Sequence, residues 1–364
     1  MNQDVEAQLA VHRDKIDEID RQILALMNQR ITAAKSIGDI KKALVLPAFY
    51  RPEREAQVLR RLAELNQGPM PDAGVESLFR EIMSVTRGTE AGLSVSVLGP
   101  EGTYTEAAAR QHFGSAMDMV YCANIDEVFR ATESKQTDFA VVPVENSTEG
   151  GVNATLDRLG NTSLKICGEV NFQVHHNLLS KEADLSSVSM VYAHGQSLAQ
   201  CRKWLSNNLP QAKALPVVSN AEAARLATQE TNTGAIAGIN AVELYGLNNL
   251  ARNIEDIPGN TTRFLILSNR ETPPSGEDKT SLLLACHHRP GALYELLRHF
   301  SDKQIDMTKI ESRPSKTGLG DYVFFIDIKG HCNDESVAEA LNVLSEKAKM
   351  YRNLGSYPVS SNYA

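Results

Sequence analysis

The stretch Gly259-Asn260-Thr261-Thr262-Arg263-Phe264-Leu265-Ile266-Leu267 joins amide, hydroxyl and guanidinium side chains to a run of four apolar residues. A polar loop that enters an apolar run is typical of the edge of a buried β-strand. Such an edge holds hydrogen-bond donors in a cleft, and Arg263 carries the planar fork that binds a carboxylate. The stretch therefore predicts an anion site with hydroxyl groups. The alternative is a loop whose polar groups satisfy one another, with Arg263 at the surface.

Around this stretch, strands and helices alternate in two similar successions. One begins with a strand over residues 93–98 and ends with a strand over residues 139–144, and the second runs from residue 188 to residue 238. Two α/β lobes in tandem predict a cleft between them, lined by the loops that follow the strands and by the N-termini of helices. Solute-binding proteins of the periplasmic type share this plan.

Three polar loops are predicted to meet in that cleft, over residues 143–151, 194–197 and 260–264. Each alone is a weak signal, because a glycine-rich loop after a strand is usually only a turn. A histidine such as His194 is also more often the cap of a loop than a catalyst. Together they predict a site for a small anionic molecule.

The N-terminal segment predicts one long helix from residue 9 to residue 43, since it lacks proline and repeats apolar residues at helical spacing. At 1.5 Å per residue this helix would be about 50 Å long, longer than its own domain can cover. We therefore expect a partner chain to cover it, in a homodimer or a higher homo-oligomer.

Two cations of this helix are predicted to point inward. Arg30 and Lys41 lie within about 20° of each other around the helix axis, on the stripe that carries Ile23 and Ile37. Buried positive charge without a partner is costly, so an anion is expected there. Arg13 lies about 100° away from Arg30 and is better placed for a partner's pocket. The alternative is that the stems pack while the charged heads reach water.

A second helix is predicted to begin near Pro52, and a third carries Phe79, Met83 and Thr86 and reaches Glu90 if it continues through Gly88. The pattern of cations and carboxylates over these three helices resembles the all-helical chorismate mutase module, an intertwined dimer. The resemblance implies a pocket for chorismate built from the residues Arg13 of the partner subunit, Arg30, Lys41, Arg54, Glu55, Thr86 and Glu90. In it the arginines hold the two carboxylates, Lys41 bonds the ether oxygen and Glu55 bonds the hydroxyl.

This assignment suits the reaction, because a pericyclic rearrangement needs a held conformer and a stabilised ether oxygen but no nucleophile. Glu90 falls where many relatives carry a glutamine that donates a hydrogen bond to the ether oxygen. A carboxylate has no proton to donate, so Glu90 must be protonated to help. The alternative is that the helix frays at Gly88 and leaves Glu90 in solvent.

The three loops of the middle segment resemble prephenate dehydratase, over about residues 93–271. The resemblance implies that Thr262 is the essential catalytic hydroxyl and that Arg263 binds a substrate carboxylate. The other residues that it assigns to the substrate are Asn146, Ser147, Thr148, His194, Gln196, Thr261 and Phe264. Since prephenate loses carbon dioxide together with its ring hydroxyl, the enzyme has to help hydroxide leave as water. A threonine holds its proton too tightly to give it up outright, so we interpret Thr262 as an oriented donor or a proton relay. Glu145 is then either the true acid or a structural residue.

The C-terminal segment follows a linker over residues 273–278 and predicts the βαββαβ order of a ferredoxin-like α+β domain. Two of its motifs resemble the phenylalanine-binding motifs of the ACT domain: Arg289-Pro290-Gly291-Ala292-Leu293 and Glu311-Ser312-Arg313-Pro314. The resemblance implies L-phenylalanine as an effector, bound where two such sheets pair edge to edge. The alternative is a turn that leads into a helix and the end of an edge strand.

Composition limits the remaining possibilities. A chain of 364 residues with a formal net charge of -8 is long enough for several domains and does not suit a nucleic-acid or membrane-surface partner. The charged N-terminus is not a signal peptide, so a cytoplasmic location is expected. Five scattered cysteines and the adjacent pairs His175-His176 and His287-His288 lack metal-ligand spacing. Reduced thiols and the absence of a metal or other cofactor are therefore predicted.

Nearly the whole chain thus resembles the family of bacterial bifunctional chorismate mutase/prephenate dehydratases. The expected domains are a helical mutase domain at 1–90, a two-lobed dehydratase domain at 93–271 and an ACT domain at 279–364. The expected function is conversion of chorismate to prephenate and of prephenate to phenylpyruvate, inhibited by phenylalanine. Two alternatives remain open, namely an intracellular amino-acid sensor without catalysis and a dehydratase whose mutase has decayed, as Gly88 suggests.

Overall fold

The computed structural model describes residues 3–44, 50–90, 92–286, 289–314 and 322–360. The pair His287-His288 lies outside these ranges. All five cysteines are free, and three of them are buried. Within the described ranges, no helix combines the length and the apolar character that crossing a membrane requires.

Three helices form the N-terminal domain: α1 (Gln3–Ala43), α2 (Pro52–Leu65) and α3 (Asp72–Glu90). Pro52 occupies the first turn of α2, where its missing N–H costs nothing. Much of α1 stands away from the rest of the chain. The apolar residues that it leaves exposed include Leu9, Ile16, Ile19, Ile23, Leu26, Ile37 and Ile40. The predicted long helix is confirmed, and its apolar stripe is not covered by its own chain.

Helix α3 continues through Gly88 to Glu90, so the alternative of a helix that frays at Gly88 is wrong. A Cβ on Gly88 would lie 3.1 Å from the Cβ of Ala116, which belongs to the next domain. The glycine therefore permits a close approach between domains, and this packing offsets its low helix propensity.

The first lobe of the middle domain contains β1 (Ser94–Leu98), α4 (Tyr104–Phe113), β2 (Asp118–Cys122), α5 (Ile125–Glu133), β3 (Phe139–Asn146), β4 (Gly150–Gly151), α6 (Asn153–Leu159) and β5 (Lys165–Gln173). The second lobe contains β6 (Asn177–Ser180), a 3-10 turn (Leu185–Ser187), β7 (Met190–His194), α7 (Gly195–Gln200), α8 (Arg202–Asn208), β8 (Lys213–Val217), α9 (Asn220–Ala227), β9 (Thr233–Ala237), α10 (Asn240–Tyr245) and β10 (Asn248–Ala251). The chain then returns to the first lobe through β11 (Thr261–Ser268).

The two sheets have the strand orders β2-β1-β3-β11-β5 and β10-β6-β9-β7-β8, and β4 pairs with β3. In the first sheet, β11 lies antiparallel between β3 and β5. The chain crosses between the lobes twice, and the crossing segments are tied to neighbouring backbone: the N–H of Val174 donates to Asn260 O at 2.8 Å, and that of Ile254 to His176 O at 2.8 Å. The predicted two-lobed plan is confirmed.

Strand β5 escaped sequence analysis, because a buried charge interrupts its apolar pattern. Glu169 stands in the middle of the strand with only 1% of its side chain exposed. Its two carboxylate oxygens pair with Arg263 and Lys279 at 2.8 and 2.7 Å. After His194 the chain forms two short helices, α7 and α8, which meet at Cys201.

The C-terminal domain contains β12 (Asp278–Ala285), α11 (Ala292–Asp302), β13 (Met307–Pro314), β14 (Tyr322–Lys329), α12 (Glu335–Lys347) and β15 (Met350–Pro358). Its sheet has the order β13-β14-β12-β15, as the ferredoxin-like prediction requires. One face packs on α11 and α12 through a core that includes Leu284 and Ile326. The opposite face shares a second core with the first lobe, where Phe325 and Leu283 join Leu156.

Close contact between these two domains depends on a glycine. Gly355 in β15 has φ 145°, and a Cβ there would collide with the backbone of Ile166 in β5. The C-terminal sheet therefore lies directly on the sheet that carries β11.

Candidate active sites

A pocket of about 190 Å³ lies between the three N-terminal helices and is called the helical pocket below. It is lined by Arg30, Ala34, Ile37, Lys41, Arg51, Arg54, Glu55, Met83, Thr86, Arg87 and Glu90. Six predicted residues thus come together from separate helices. Sequence analysis missed Arg51 and Arg87, although Arg87 directly follows Thr86 and Arg51 lies three residues before Arg54.

Two hydrogen bonds hold Arg30 and Thr86 in place at this pocket. Arg30 Nη1 donates to Thr86 Oγ1 at 3.1 Å, and the hydroxyl of Thr86 donates to Ile82 O at 2.6 Å. Glu90 is half-buried at the end of α3, with its carboxylate beside Gly38 of α1. Glu90 therefore lies in the helical pocket, as predicted.

Glu55 is the buried acid of the helical pocket. Its Oε1 pairs with Arg87, and its Oε2 is buried without a hydrogen-bond partner among the described residues. Burial raises the pKa of Glu55, while the nearby charges of Arg87, Arg80 and Arg30 act in the opposite direction. A buried carboxylate oxygen without a donor is unfavourable, so a ligand hydroxyl would satisfy it.

Arg13 does not reach the helical pocket of its own chain. Its side chain is 65% exposed and its nearest charged partner is Glu6, at 3.8 Å. The assignment of Arg13 to the pocket of a partner subunit stays a prediction.

The second site lies between the two lobes and is called the lobe cleft below. Thr262 is 9% exposed, and its Oγ1 accepts a hydrogen bond from Asn146 Nδ2 at 2.8 Å. The same nitrogen donates to Asn260 Oδ1 at 2.9 Å, and Asn260 Nδ2 donates to Gln200 Oε1 at 3.0 Å. Gln200 Nε2 donates to Thr148 Oγ1 at 2.9 Å, and that hydroxyl donates to Asn146 Oδ1 at 2.6 Å. Four side chains therefore close a ring of hydrogen bonds that presents Asn146 to Thr262.

The hydroxyl proton of Thr262 has no acceptor within the described part of the chain, because Oγ1 serves only as an acceptor there. An accepted hydrogen bond polarises the hydroxyl and strengthens its own donation. Thr262 is therefore arranged to donate a hydrogen bond to a molecule in the lobe cleft.

Sequence analysis missed the groups behind the ring. His176 Nε2 bonds Gln200 Oε1 at 2.8 Å, and Tyr104 Oη lies 3.0 Å from His176 Nδ1. Burial lowers the pKa of His176 and raises that of Tyr104, so both are neutral at pH 7. Burial opposes ionisation of Glu255 as well, but hydrogen bonds from His175 and from the His176 N–H lower its pKa overall. The adjacent histidines His175 and His176 thus hold the two crossing segments together.

The structure contradicts the prediction that Arg263 binds substrate in this cleft. Arg263 follows Thr262 in β11, so its side chain points to the opposite face of the sheet. Its guanidinium contacts Glu169, Asp327 and Tyr357 at 2.8, 2.6 and 2.9 Å. Burial alone would lower the pKa of Arg263, but these neighbours raise it above its usual value. Arg263 therefore binds residues at the contact with the C-terminal domain and does not face the lobe cleft.

The same alternation contradicts Glu145 as the acid of the lobe cleft. Glu145 pairs in register with Arg263, while Asn146 pairs with Thr262. Its carboxylate lies 2.7 Å from Lys309 Nζ in β13 and its side chain is 39% exposed. A carboxylate that is half-solvated and ion-paired on the far face cannot protonate a group beside Thr262.

Phe264 was also predicted to bind substrate, but in the structure it is a core residue. It is 2% exposed and packs edge-to-face on Phe172, with ring centres 6.5 Å apart. Because it lies two residues beyond Thr262 on the same face, it supports the floor under the lobe cleft.

The remaining predicted cleft residues serve the loops themselves. The hydroxyl of Ser147 accepts from Thr261 N at 3.0 Å, and the hydroxyl of Thr261 faces Gly259 O at 3.3 Å. His194 caps α7, where its Nδ1 accepts from Gln196 N at 3.4 Å. This is the capping arrangement considered from sequence, and α7 reaches the ring through Gln200 instead. Substrate contacts for these four residues stay predictions.

The two predicted effector motifs lie at the same end of the C-terminal sheet. Gly291 has φ 78° before α11, with Ala292 buried and Leu293 half-buried behind it. In β13 the side chains alternate, and Ser312 and Pro314 are exposed while Glu311 and Arg313 turn to the first lobe.

These contacts with the lobe are specific. The carboxylate of Glu311 lies against Gly151, and Arg313 Nη2 donates to Asn153 Oδ1 at 2.7 Å. Arg313 also lies 3.3 Å from Asp157. Half of the second motif is therefore engaged with the domain of the lobe cleft.

A larger cavity of about 420 Å³ lies where α2, α3, β5 and residues 358–360 meet. It borders Glu55 and His112 but not the ring around Thr262. It therefore adjoins the helical pocket and is distinct from the lobe cleft. Among the described residues, no cluster of His, Cys, Asp or Glu is suited to hold a metal ion.

Three family models match the chain: chorismate mutase type II over residues 12–91, prephenate dehydratase over residues 95–272, and the ACT domain over residues 280–346. A bifunctional chorismate mutase/prephenate dehydratase of Neisseria gonorrhoeae is 48% identical over 363 residues, and the match covers 99% of both chains. Its namesake from Pseudomonas aeruginosa is 46% identical over 356 residues, which cover 96% of this chain and 98% of the relative.

Among solved structures, the prephenate dehydratase of Arthrobacter aurescens in complex with L-Phe is 36% identical and superimposes with a TM-score of 0.68. That match covers 73% of this chain and 90% of the other. It agrees with the two-lobed and C-terminal domains found here.

Proposed function

Since the chain belongs to the family of bifunctional chorismate mutase/prephenate dehydratases, we propose that its helical pocket rearranges chorismate to prephenate and that its lobe cleft converts prephenate to phenylpyruvate. The chain is accordingly an isomerase and a lyase, with domains at 1–90, 93–271 and 279–364. Family membership favours neither a sensor without catalysis nor a decayed mutase.

In the helical pocket, Arg30, Arg54 and Arg13 of the partner subunit hold the two carboxylates of chorismate. Lys41 stabilises the charge that develops on the ether oxygen, and Glu55 accepts a hydrogen bond from the substrate hydroxyl. The buried Oε2 of Glu55, which lacks a partner in the described residues, supports this last role. The exposed apolar stripe of α1 and the outward position of Arg13 support a homodimer or a higher homo-oligomer.

In the lobe cleft, Thr262 donates a hydrogen bond to the hydroxyl that leaves prephenate. The observation that carries this role is the bond from Asn146 Nδ2 to Thr262 Oγ1, which leaves the threonine proton free for the substrate. Asn146, held by the ring through Gln200, is a positioning residue for Thr262. No cofactor is needed, because aromatisation supplies the driving force.

The ACT domain binds L-phenylalanine as a feedback inhibitor, next to Gly291 and at the β13 edge. The complex of the Arthrobacter aurescens enzyme with L-Phe supports this assignment. We place the assembly in the cytoplasm.

The test is Thr262→Ala in the full chain, assayed separately with chorismate and with prephenate. Dehydratase kcat should fall by about 10²- to 10⁴-fold, the range for losing a positioned proton donor. Mutase turnover should persist, because the helical pocket is on another domain, and it reports that the variant is folded. Thr262→Ser, which keeps the hydroxyl, should retain much of the dehydratase activity. Equal loss of both activities in Thr262→Ala, or full dehydratase activity, would refute the assignment.

A further inference from the structure

Arg87 of α3 touches both enzymatic domains at once. Its side chain is buried, with 6% exposure. One terminal nitrogen pairs with Glu55 Oε1 of the helical pocket, and the other donates to the backbone oxygen of Phe113 at the end of α4. Its guanidinium carbon also lies 5.0 Å from the ring centre of Tyr50. The rigid fork of arginine therefore spans the boundary between the mutase pocket and the dehydratase lobe.

The dehydratase side of this boundary is fixed independently of Arg87. The hydroxyl of Tyr50 lies 2.7 Å from His112 Nε2, and its ring is 5.1 Å from that of Phe113. Arg80 Nη1 donates to His112 O at 3.0 Å. Further along α3, Ser84 Oγ accepts from Ala116 N at 2.9 Å. The backbone oxygen that receives Arg87 is thus part of a packed and hydrogen-bonded interface.

We infer that Arg87 is a positioning residue of the mutase pocket, which is held by the dehydratase lobe and in turn fixes the orientation and charge of Glu55. A carboxylate on a flexible side chain is free to rotate, and a hydrogen bond from one nitrogen of a guanidinium whose other terminal nitrogen is held by Phe113 O restricts that rotation. Glu55 then keeps one oxygen for Arg87 and the other for the substrate. The mutase pocket is completed by the neighbouring catalytic domain. This inference rests on the proposed role of Glu55.

The charges that face Glu55 come from every neighbouring element. Arg87 and Arg80 approach from α3 and Arg30 approaches from α1. Tyr50 precedes α2, and His112 belongs to α4. Burial lowers the pKa of His112 and raises that of Tyr50, so both are neutral near pH 7. Since burial raises the pKa of Glu55 and Arg87 is the largest opposing charge, loss of Arg87 raises that pKa further.

The experiment compares the full chain with Arg87→Met over a range of pH. If the ionised form of Glu55 serves the mutase, kcat/KM is complete above its pKa and is lost as the pH falls through it. Arg87→Met should therefore move the acidic limb of mutase kcat/KM to higher pH and lower the value at pH 7 by about 10- to 100-fold, the effect of a small misplacement. Dehydratase turnover should stay close to that of the unchanged chain.

Two variants serve as controls. Arg80→Met removes an arginine whose charge also lowers the pKa of Glu55 but which makes no hydrogen bond to it, so the acidic limb should again move to higher pH while kcat/KM above that limb stays near its original value. Arg87→Lys keeps the charge but not the fork, so the acidic limb should stay near its original pH while kcat/KM falls. If Arg87→Met does not fold, Arg87→Lys decides, and an unchanged mutase kcat/KM in that variant overturns the inference.

Combination with Glu55→Gln separates the inference from its basis. If Arg87 acts through Glu55, the loss in Glu55→Gln/Arg87→Met should be smaller than the product of the two single losses. Independent losses that multiply, or an acidic limb that does not move in Arg87→Met, overturn the inference. If Glu55→Gln alone costs the mutase nothing, the proposed role of Glu55 fails instead, and the inference fails with it.

Discussion

Thr262 and Arg263 are neighbours in β11 with opposite surroundings, because successive side chains of a strand point to opposite faces of the sheet. Thr262 joins Asn146 in the lobe cleft, whereas Arg263 joins Glu169 and Asp327 beneath the C-terminal sheet. A buried arginine between two buried carboxylates holds domains together as long as all three charges remain. One dipeptide therefore faces the lobe cleft with its first residue and the domain contact with its second.

Arg263→Met tests this division. The change leaves Glu169 and Asp327 with one buried cation fewer, so the free energy of unfolding should fall by about 3–5 kcal/mol. The KM for prephenate should change little, because Arg263 does not face the lobe cleft. Denaturant unfolding and steady-state kinetics on the same preparation measure both quantities.

The matched control is Arg263→Met with Asp327→Asn, which removes one of the stranded charges and should recover part of the lost stability. A large rise in KM with unchanged stability would instead restore Arg263 as a carboxylate ligand.

The sequence pattern alone predicted an anion site with hydroxyl groups around Thr262 and the inward cations Arg30 and Lys41, and the family resemblance supplied the remaining residues and their roles. Three members of the ring around Thr262, Asn146, Thr148 and Asn260, lie in loops predicted to meet, whereas Gln200 lies beyond the predicted loop at 194–197 and reaches Asn260 only through folding. Arg263 and Glu145 were misplaced for a different reason. Proximity in a motif does not determine which face of a strand a side chain occupies until the register is known.

At the scale of one element, helix α3 contacts the helical pocket with one face and the dehydratase lobe with another. Thr86 and Glu90 line the helical pocket, and Ser84 and Gly88 meet the dehydratase lobe. Helix propensity treats Gly88 as a weak point, whereas the packing on Ala116 makes a small residue useful there. Strand β5 gives the converse case, since its buried Glu169 has partners that only the tertiary structure supplies. Elements with ordinary apolar spacing, such as α1 and β11, were predicted from sequence, whereas β5, whose spacing a buried charge interrupts, was not.

The continuity of α3 gives Glu90 a defined place and makes its chemistry testable. To donate a hydrogen bond to the ether oxygen a carboxyl must carry a proton, whereas a glutamine amide donates without one. Glu90→Gln donates at every pH and should keep a higher kcat/KM on the alkaline side. Mutase pH profiles of the two proteins decide the matter, and superimposable profiles would show that Glu90 donates nothing to the substrate.

At the scale of the whole molecule, the ACT sheet lies on the dehydratase lobe through a shared apolar core and through ion pairs from β13. Lys309 is central to these pairs: its Nζ lies 2.7 Å from Glu145 Oε2 and 3.2 Å from Glu311 Oε2. Glu145 directly precedes Asn146, and Glu311 belongs to the proposed effector motif. Lys309 therefore joins the effector motif to the strand that orients Thr262.

Lys309→Met should accordingly weaken inhibition of the dehydratase by phenylalanine while phenylalanine still binds. Loss of one element of a coupling network changes the coupling by about 0.5–2 kcal/mol, or about 2- to 30-fold. By linkage, a prephenate analogue should weaken phenylalanine binding less in Lys309→Met than in the unchanged chain, by the same factor that separates their inhibition. Calorimetry with phenylalanine, alone and with the analogue present, measures this change in binding.

Lys329→Met is the matched control, because Lys329 pairs with Asp306 at 2.6 Å inside the ACT domain. The dehydratase of this variant should be inhibited normally by phenylalanine. Normal inhibition of Lys309→Met would show that the effector signal reaches Thr262 by another path, of which the buried Arg263 cluster is the nearest.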